Sequence, residues 1–411
     1  MQRIPCMVSF CSTNSKQCSR QLGASILVEQ RYPSWAASVN AIRGSHLFLE
    51  PYCCVYVNDS ECCKLSFIMA SNTNLHQALK QKKDEFYTQL CDIENELCHY
   101  REHFKGKTVL CNCDDPRVSN FSVYFVLNFK ALGLKRLITT CYKNNQPDIF
   151  SQNECERAVY AIYDGTPECN SIEDAKQIPY KEFEYSDGDF RSAECVELLK
   201  QADIVVTNPP FSLFREYIAQ LIKYDKKFLI IGNINAVTYK EVFPLIYKNK
   251  IWIGYGFNIS MVYKASYENN SESNRKYVIN KGYNPEENYI VVPSVAWFTN
   301  LDIAKRHEDI ILYKKYTSEA YPKLDNYDAI NINRVVEIPC DYDGIMAVPI
   351  TFLDKYNPRQ FEIVGMAAGN SAVNDFGKMA NYKRHPKDRG GCGVLNGERL
   401  YARLLIKKIN T

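Results

Sequence analysis

The sequence predicts an α/β protein: a doubly wound, Rossmann-like, mostly parallel sheet followed by a C-terminal region of different pattern. Three observations predict it. The run Asp203-Ile204-Val205-Val206-Thr207 leads straight into Asn208-Pro209-Pro210-Phe211, as a buried parallel strand does when it stops at its carboxyl end, where open α/β sheets hold their ligands. Lys107 to Cys113 reads as a strand, Asp114-Asp115-Pro116 as a tight loop, and the stretch with Phe121, Tyr124, Phe125 and Leu127 as a helix, the opening unit of a nucleotide-type sheet. Further apolar runs at Lys227 to Asn233, Ile251 to Gly256 and Val295 to Asn300 supply later strands, with a helix over Phe214 to Ile222.

The totals permit this and exclude other classes. A chain of 411 residues with 46% hydrophobic residues can bury a large core, and a formal charge of +3 neither requires nor forbids a nucleic-acid partner. No apolar run has the length of a membrane span, and the N-terminus lacks the apolar core of a secretory signal, so an intracellular, cytoplasmic protein is expected. The 17 cysteines then read as reduced thiols. Neither Cys53-Cys54 with Cys62-Cys63 nor Cys111 with Cys113 has paired zinc spacing, so no metal is expected.

Residues 1–68 are dense in cysteine and show little periodicity; they read as a poorly ordered extension or a misassigned start, with Met69 as the natural beginning, and a cysteine-rich interaction arm as the alternative. Residues 74–83 are polar and helix-compatible and lead into Phe86-Tyr87-Thr88. From Gln89 to Phe104, the spacing of Leu90, Ile93, Glu94, Leu97 and Tyr100 predicts one amphipathic helix. After the strand ending at Cys113, Asp115 is a candidate helix cap. Leu134 to Tyr142 reads as the second strand. No carboxylate follows it before Gln146, so the residue for a ribose is left open. Residues 143–185 are polar and interrupted by Pro147, Gly165, Pro167 and Pro179, which reads as an insertion between sheet strands. Ser186 to Phe190 has a turn at Asp187-Gly188 as its simplest reading.

The Asn-Pro-Pro-Phe corner carries the most specific chemistry. Two prolines stiffen the loop and donate no backbone hydrogen bonds. An exocyclic amine on a planar ring needs two acceptors, here the Asn208 side-chain oxygen and the Pro209 carbonyl, and a stacking surface, here Phe211. Drawing both amine hydrogens to acceptors bends the nitrogen towards tetrahedral geometry and frees its lone pair. The plainer alternative is a rigid turn after a strand.

With this corner, the strand before it and the glycine-poor loop Cys111-Asn112-Cys113-Asp114-Asp115-Pro116-Arg117, the chain from about Met69 to its end resembles the adenine-specific DNA methyltransferases of the EcoRI type, which use S-adenosylmethionine. Several implications follow from the resemblance. Phe86, Tyr87 and Thr88 would lie against the methionine end of the methyl donor. Asn112, Cys113 and Asp114 would form the cofactor loop, where a sulfonium needs acceptors and carboxylates more than a glycine cradle for phosphate. Asp189 and Phe190, at the end of a third strand, would meet the cofactor's adenine, the carboxylate accepting from its amine. Asn208, Pro209, Pro210 and Phe211 would be catalytic. The sheet would hold seven strands with an antiparallel last pair. Apart from the resemblance, Trp252 and Trp297, set in apolar runs, read as core.

The resemblance also frames the remainder. Residues 69–301 would be the methyltransferase domain, with an insertion at about 257–293 that is rich in Tyr, Asn and Lys. Lys264, Arg275 and Lys276 there are candidates for DNA contact, against the alternative of a solvated hairpin. Residues 302–411 would form a target-recognition region of short β pieces such as Ala347 to Phe352 and Phe361 to Gly365. Its most basic stretch, 378–408, contains Arg384, Lys387, Arg389 and Arg403, with Asp388 and Glu398 opposing them. The expected activity is methyl transfer to N6 of an adenine flipped out of double-stranded DNA, as the modification enzyme paired with a restriction endonuclease. The alternatives are methylation of RNA or of a protein glutamine, which share an Asn-Pro-Pro-aromatic loop, and a catalytically silent DNA-binding module.

Overall fold

The computed structural model describes residues 87–113, 115–142, 158–264, 271–371, 376–377 and 380–409. The expectations for residues 1–68, for a helix over 74–83, and for Phe86 and Asp114 lie outside the described residues, as do those for the side chains of Tyr87 and Lys264.

The described chain opens with strand β1 (Tyr87–Thr88), helix α1 (Leu90–Leu97), a 3-10 turn (Cys98–Tyr100) and helix α2 (Arg101–Phe104). The single helix expected from Gln89 to Phe104 is therefore broken, its middle tightened into 3-10 geometry of the kind common at helix ends. Ile93, Leu97 and Tyr100 are buried as the spacing predicts; Glu94 is exposed and Glu96 is buried instead.

Next come β2 (Thr108–Cys111), α3 (Asn120–Leu127) and β3 (Arg136–Cys141). Ser119, rather than Asp115, caps α3, its hydroxyl accepting from the Ser122 amide, an arrangement worth about 1 kcal/mol. Asp115 is committed elsewhere: its carboxylate accepts from the Arg117 amide at 2.9 Å and from the Arg117 guanidinium at 2.6 Å.

The segment expected to be an insertion between strands joins the sheet. Its described part holds β4 (Val159–Tyr163), α4 (Ile172–Lys176) and β5 (Tyr180–Glu182), and β4 pairs antiparallel with β3 and β5 with β4. Val159, Ala161 and Tyr163 are buried while Ile162 between them is exposed, the period-two pattern of an outer strand, too short here to stand out among Gly and Pro.

Helix α5 (Ala193–Gln201), β6 (Ile204–Thr207), a 3-10 turn (Phe211–Leu213), α6 (Phe214–Lys223), β7 (Lys227–Asn233), α7 (Phe243–Tyr247), β8 (Trp252–Lys264), α8 (Glu272–Asn280) and β9 (Tyr289–Thr299) complete this layer. Among the described residues the sheet has nine strands rather than seven, in the order β1-β8-β9-β7-β6-β2-β3-β4-β5. The central four, β7, β6, β2 and β3, are parallel, and both flanks are antiparallel. β6 is buried along its whole length: Val205 and Ile230 belong to the core on one face, Val206 and Ile231 to the core on the other. Burying each such side chain contributes about 1.5–3 kcal/mol.

In the C-terminal part, β10 (Ile330–Asn331), β11 (Met346–Pro349), β12 (Phe361–Ala367), β13 (Val394–Leu395), β14 (Glu398–Arg399) and β15 (Arg403–Lys408) form a four-stranded sheet, β10-β11-β15-β12, and a small β13–β14 hairpin. The strand expected from Ala347 to Phe352 ends at Pro349, and Ile350–Lys355 turns into 3-10 helix. Met346, Val348, Leu404 and Ile406 share one apolar cluster with Val205, Ile230 and Phe298, so the two sheets contribute to one core.

Candidate active site

The site begins at the point where the strand order reverses. From β2 the chain moves outward to β3, β4 and β5, then returns to β6 on the other side of β2, so the loops leaving β2 and β6 diverge and open a crevice. Two side chains tie these loops together. The Thr207 hydroxyl donates to the Asn112 carbonyl, and the Tyr217 hydroxyl, from α6, donates to Asn112 Oδ1. Burial holds the Tyr217 pKa well above its ordinary value, so it remains a proton donor. Cys113 then turns the chain with φ of 80°, a left-handed conformation that suits glycine better.

A cleft of about 550 Å³, open to solvent, lies at this crevice. Asn112 and Cys113 line it from the β2 loop, Tyr142 from the end of β3, Gly188 to Arg191 from the loop before α5, and Pro210 and Leu213 from the loop after β6. Four of the residues expected at the cofactor, Asn112, Cys113, Asp189 and Phe190, thus share one cleft with Pro210 of the corner.

Gly188 to Phe190 do not end a strand, as expected; they lie in a loop beyond β5, packed on the end of β3. Gly188 is required there, because a Cβ would stand 2.1 Å from the Cys141 carbonyl oxygen and its φ is +80°. Asp189 is held by Arg191. Its Oδ1 accepts from the Arg191 amide at 2.8 Å and Nε at 2.9 Å, and its Oδ2 accepts from the guanidinium at 2.7 Å. The Arg191 hydrogen bonds hold the Asp189 pKa below its ordinary value, against the opposing effect of burial. Arg191 also pairs with Glu216 at 2.6 Å. Oδ1 already has two donors, whereas Oδ2 keeps a lone pair for a further one. Phe190 packs edge-on against Tyr217 at 5.0 Å.

The rest of the corner is enclosed. Asn208 is 7% and Phe211 9% exposed, and the Leu213 amide donates to the Pro210 carbonyl at 2.9 Å. Phe211 belongs to the same apolar cluster as Val206, Ile231, Met261 and Val292.

Thr88 is fixed beside the start of α3, where Asn120 Nδ2 donates to its carbonyl at 2.8 Å. β1 pairs with the outer end of β8, Tyr87 opposite Lys264 and Thr88 opposite Tyr263. Thr88 is 1% exposed and its hydroxyl oxygen has no hydrogen-bond partner among the described residues. It is not part of the cleft wall.

Reading the sequence missed Glu96, Tyr142, Arg191 and Asn233. Glu96 is buried and accepts from the Tyr100 hydroxyl at 2.8 Å and from the amides of Tyr255 at 2.8 Å and Gly256 at 2.6 Å, two consecutive donors released where the β8–β9 register slips. Gly254 is needed for this approach, since a Cβ there would lie 2.3 Å from the Glu96 carboxylate. Burial pushes the Glu96 pKa up, and the three donors with nearby Lys305 act against it. The only sequence signal was the Gly254-Tyr255-Gly256 triplet inside a strand.

The basic candidates fall on two separate segments. On the hairpin, Arg275 pairs with Glu286, and Lys276 with Glu272 at 2.6 Å. In the C-terminal part, Lys387 pairs with Glu398 at 2.7 Å, and Arg384 and Arg389 are exposed. Asp388 does not merely oppose their charge. It accepts from the Tyr382 hydroxyl and the amides of His385 and Gly390, each at 2.9 Å, and so organises the loop that carries them. Burial would raise its pKa, but these bonds outweigh it and hold the carboxyl below its ordinary value.

Comparison with known proteins agrees with this architecture. Residues 74–409 match the profile of a family described as adenine-specific methyltransferase EcoRI. The chain is 51% identical to the Type II methyltransferase M.EcoRI of Escherichia coli over 310 residues, covering 73% of this chain and 91% of that protein. It is 37% identical to M.MgeORF184P of Mycoplasma genitalium, over 82% of this chain and 98% of the relative, and 37% identical to M.MpnI of Mycoplasma pneumoniae, over 81% and 97%. No solved structure matches the chain.

Proposed function

The chain belongs to the EcoRI-type family of adenine-specific methyltransferases, and from that premise we propose how its residues carry out methyl transfer to N6 of a flipped adenine in double-stranded DNA. The observation that carries the proposal is the single cleft uniting Asn112, Cys113, Asp189 and Phe190 with Pro210.

The cleft suits S-adenosylmethionine. The Asp189 Oδ2 can take one more donor, matching an adenine amine. When bound, the cofactor supplies an electrophilic methyl group on a sulfonium. Asp189 and Phe190 would hold its adenine and Asn112 and Cys113 would line its middle; Thr88, outside this cleft wall, would meet its methionine end, as the resemblance implies.

At the corner, Asn208 Oδ1 and the Pro209 carbonyl accept the two amine hydrogens of the target base, and the diproline backbone keeps those acceptors from following the base as it moves. Phe211 stacks on the ring. Catalysis consists of positioning and partial activation of the amine, and extrusion of the base is offset by these contacts. The loop organised by Asp388 carries Arg384, Lys387 and Arg389 to phosphates, and the hairpin adds Lys264, Arg275 and Lys276. Residues 302–411 act as the target-recognition region. The protein works in the cytoplasm, on DNA, as the modification partner of a restriction endonuclease. No described helix is long and apolar enough to cross a membrane.

The test is transfer of a labelled methyl group to an adenine-containing duplex, with N6-methyladenine identified by mass spectrometry. Asn208→Ala abolishes transfer and leaves DNA binding in place; full activity of that variant overturns the mechanism.

A further inference from the structure

Resting on that reading of Asn208 and Pro209, we propose that Asn233 is a recognition residue for the target base, its side-chain amide donating to a ring nitrogen that flanks the adenine amine. Two accepted amine hydrogens do not identify adenine. The ring nitrogens on either side of the amine-bearing carbon, N1 and N7, are acceptors and call for a donor.

Asn233 is the last residue of β7, the strand hydrogen-bonded to β6, and Thr207 is opposite Ile230. Asn208 is the first residue beyond Thr207, so Asn233 stands two positions, about 7 Å, further out on the neighbouring strand. A base whose amine sits at Asn208 must extend its ring outward, because inward lies the packed strand Val205-Val206. Alternation along β7 puts Asn233 on the same face as Ile231, the face whose core includes Phe211.

The orientation of the amide is settled by a backbone group. The Asn235 amide donates to Asn233 Oδ1 at 2.9 Å, and since a backbone N–H can only donate, Nδ2 is turned the other way. Asn233 is 6% exposed, and Nδ2 has no hydrogen-bond partner among the described residues. A donor so enclosed is costly to leave unpaired and persists where something outside the chain satisfies it. Asn235 is itself braced from the C-terminal part, its Oδ1 accepting from the Tyr401 hydroxyl at 2.7 Å, so the amide of Asn233 is held in place on two levels.

The experiment measures kcat/KM for wild type, Asn233→Ala and Asn233→Asp on duplexes carrying adenine, 1-deazaadenine or 7-deazaadenine at the target position. Asn233→Asp keeps the acceptor for the Asn235 amide and puts an oxygen where the donor stood. Each variant on adenine, and wild type on one of the two analogues, loses about 10- to 100-fold, and variant and analogue together lose no more than either alone. Multiplicative losses with both analogues, full activity of Asn233→Asp, or a wild type indifferent to both analogues overturns the inference, and the last needs no folded variant. Wild-type transfer to plain adenine reports separately on the underlying reading: if that fails, the function is wrong; if it succeeds without coupling, only Asn233 is.

Discussion

Thr207 donates its hydroxyl to the backbone carbonyl of Asn112, joining the loop after β2 to the end of β6 at the point where the strand order reverses. Both residues are buried. Thr207→Val keeps the shape and deletes the donor. It should lower stability by about 1–3 kcal/mol, read by denaturant unfolding, and reduce kcat/KM for methyl transfer, because the cleft walls are no longer held in register. Unchanged stability would show that the bond contributes nothing.

Arg191 governs the charge of Asp189. The folded carboxyl has a depressed pKa, so its contribution to stability is present above the ordinary aspartate value of about 4 and is lost as pH falls through the folded value. In Arg191→Ala the depressing hydrogen bonds are gone and burial, which acts upward, remains. The acid limb of S-adenosylhomocysteine binding should therefore move to higher pH than in wild type, measured by calorimetry across the acid range. An unmoved limb would separate Asp189 from cofactor binding.

Glu96 ties α1 to the irregular stretch of β8 through two backbone amides. Glu96→Gln turns one of its acceptor atoms into a donor facing other donors. The variant should be about 1–3 kcal/mol less stable in urea unfolding, although no surface charge has changed. Wild-type stability would mean that the amides find other partners.

Asp388 offers a prediction whose sign separates two mechanisms. Were it only a negative charge beside Arg384, Lys387 and Arg389, Asp388→Ala would bind DNA more tightly. Because it organises the loop from Tyr382 to Gly390, the variant should instead bind about tenfold more weakly, with a shallower salt dependence, while its affinity for S-adenosylhomocysteine is unchanged. Filter binding at several salt concentrations decides between them.

The elements legible in advance were those whose signal is continuous. Lys227–Asn233 is a strand over the expected residues, and the helix expected from Phe214 to Ile222 runs from Phe214 to Lys223, because long apolar runs with clear breakers leave little choice. β4 and β5 were hidden because an outer strand of a few residues, set among Gly and Pro, carries too short an alternation. The helix expected over Gln89 to Phe104 was legible as a helical region but not as a broken one, since Tyr100 suits the buried spacing of either form. Of the site, the order along the chain of Asn112, Asp189 and Asn208 was readable, with the polar chemistry of each. Arg191, two residues from Asp189, was present in the same stretch, but nothing local said that its side chain would turn back.

By itself the sequence determined the α/β class, the strand that ends in Asn-Pro-Pro-Phe and the kind of chemistry that corner can perform, because periodicity, proline geometry and side-chain acceptors are local properties. Only the tertiary structure decided that loops far apart in the chain line one cleft, that Glu96 is buried against Tyr255 and Gly256, and that Asn233 ends the strand next to the one that leads into Asn208. Those relations depend on strand order and register, which arise when distant segments pair, and no stretch of residues carries them alone.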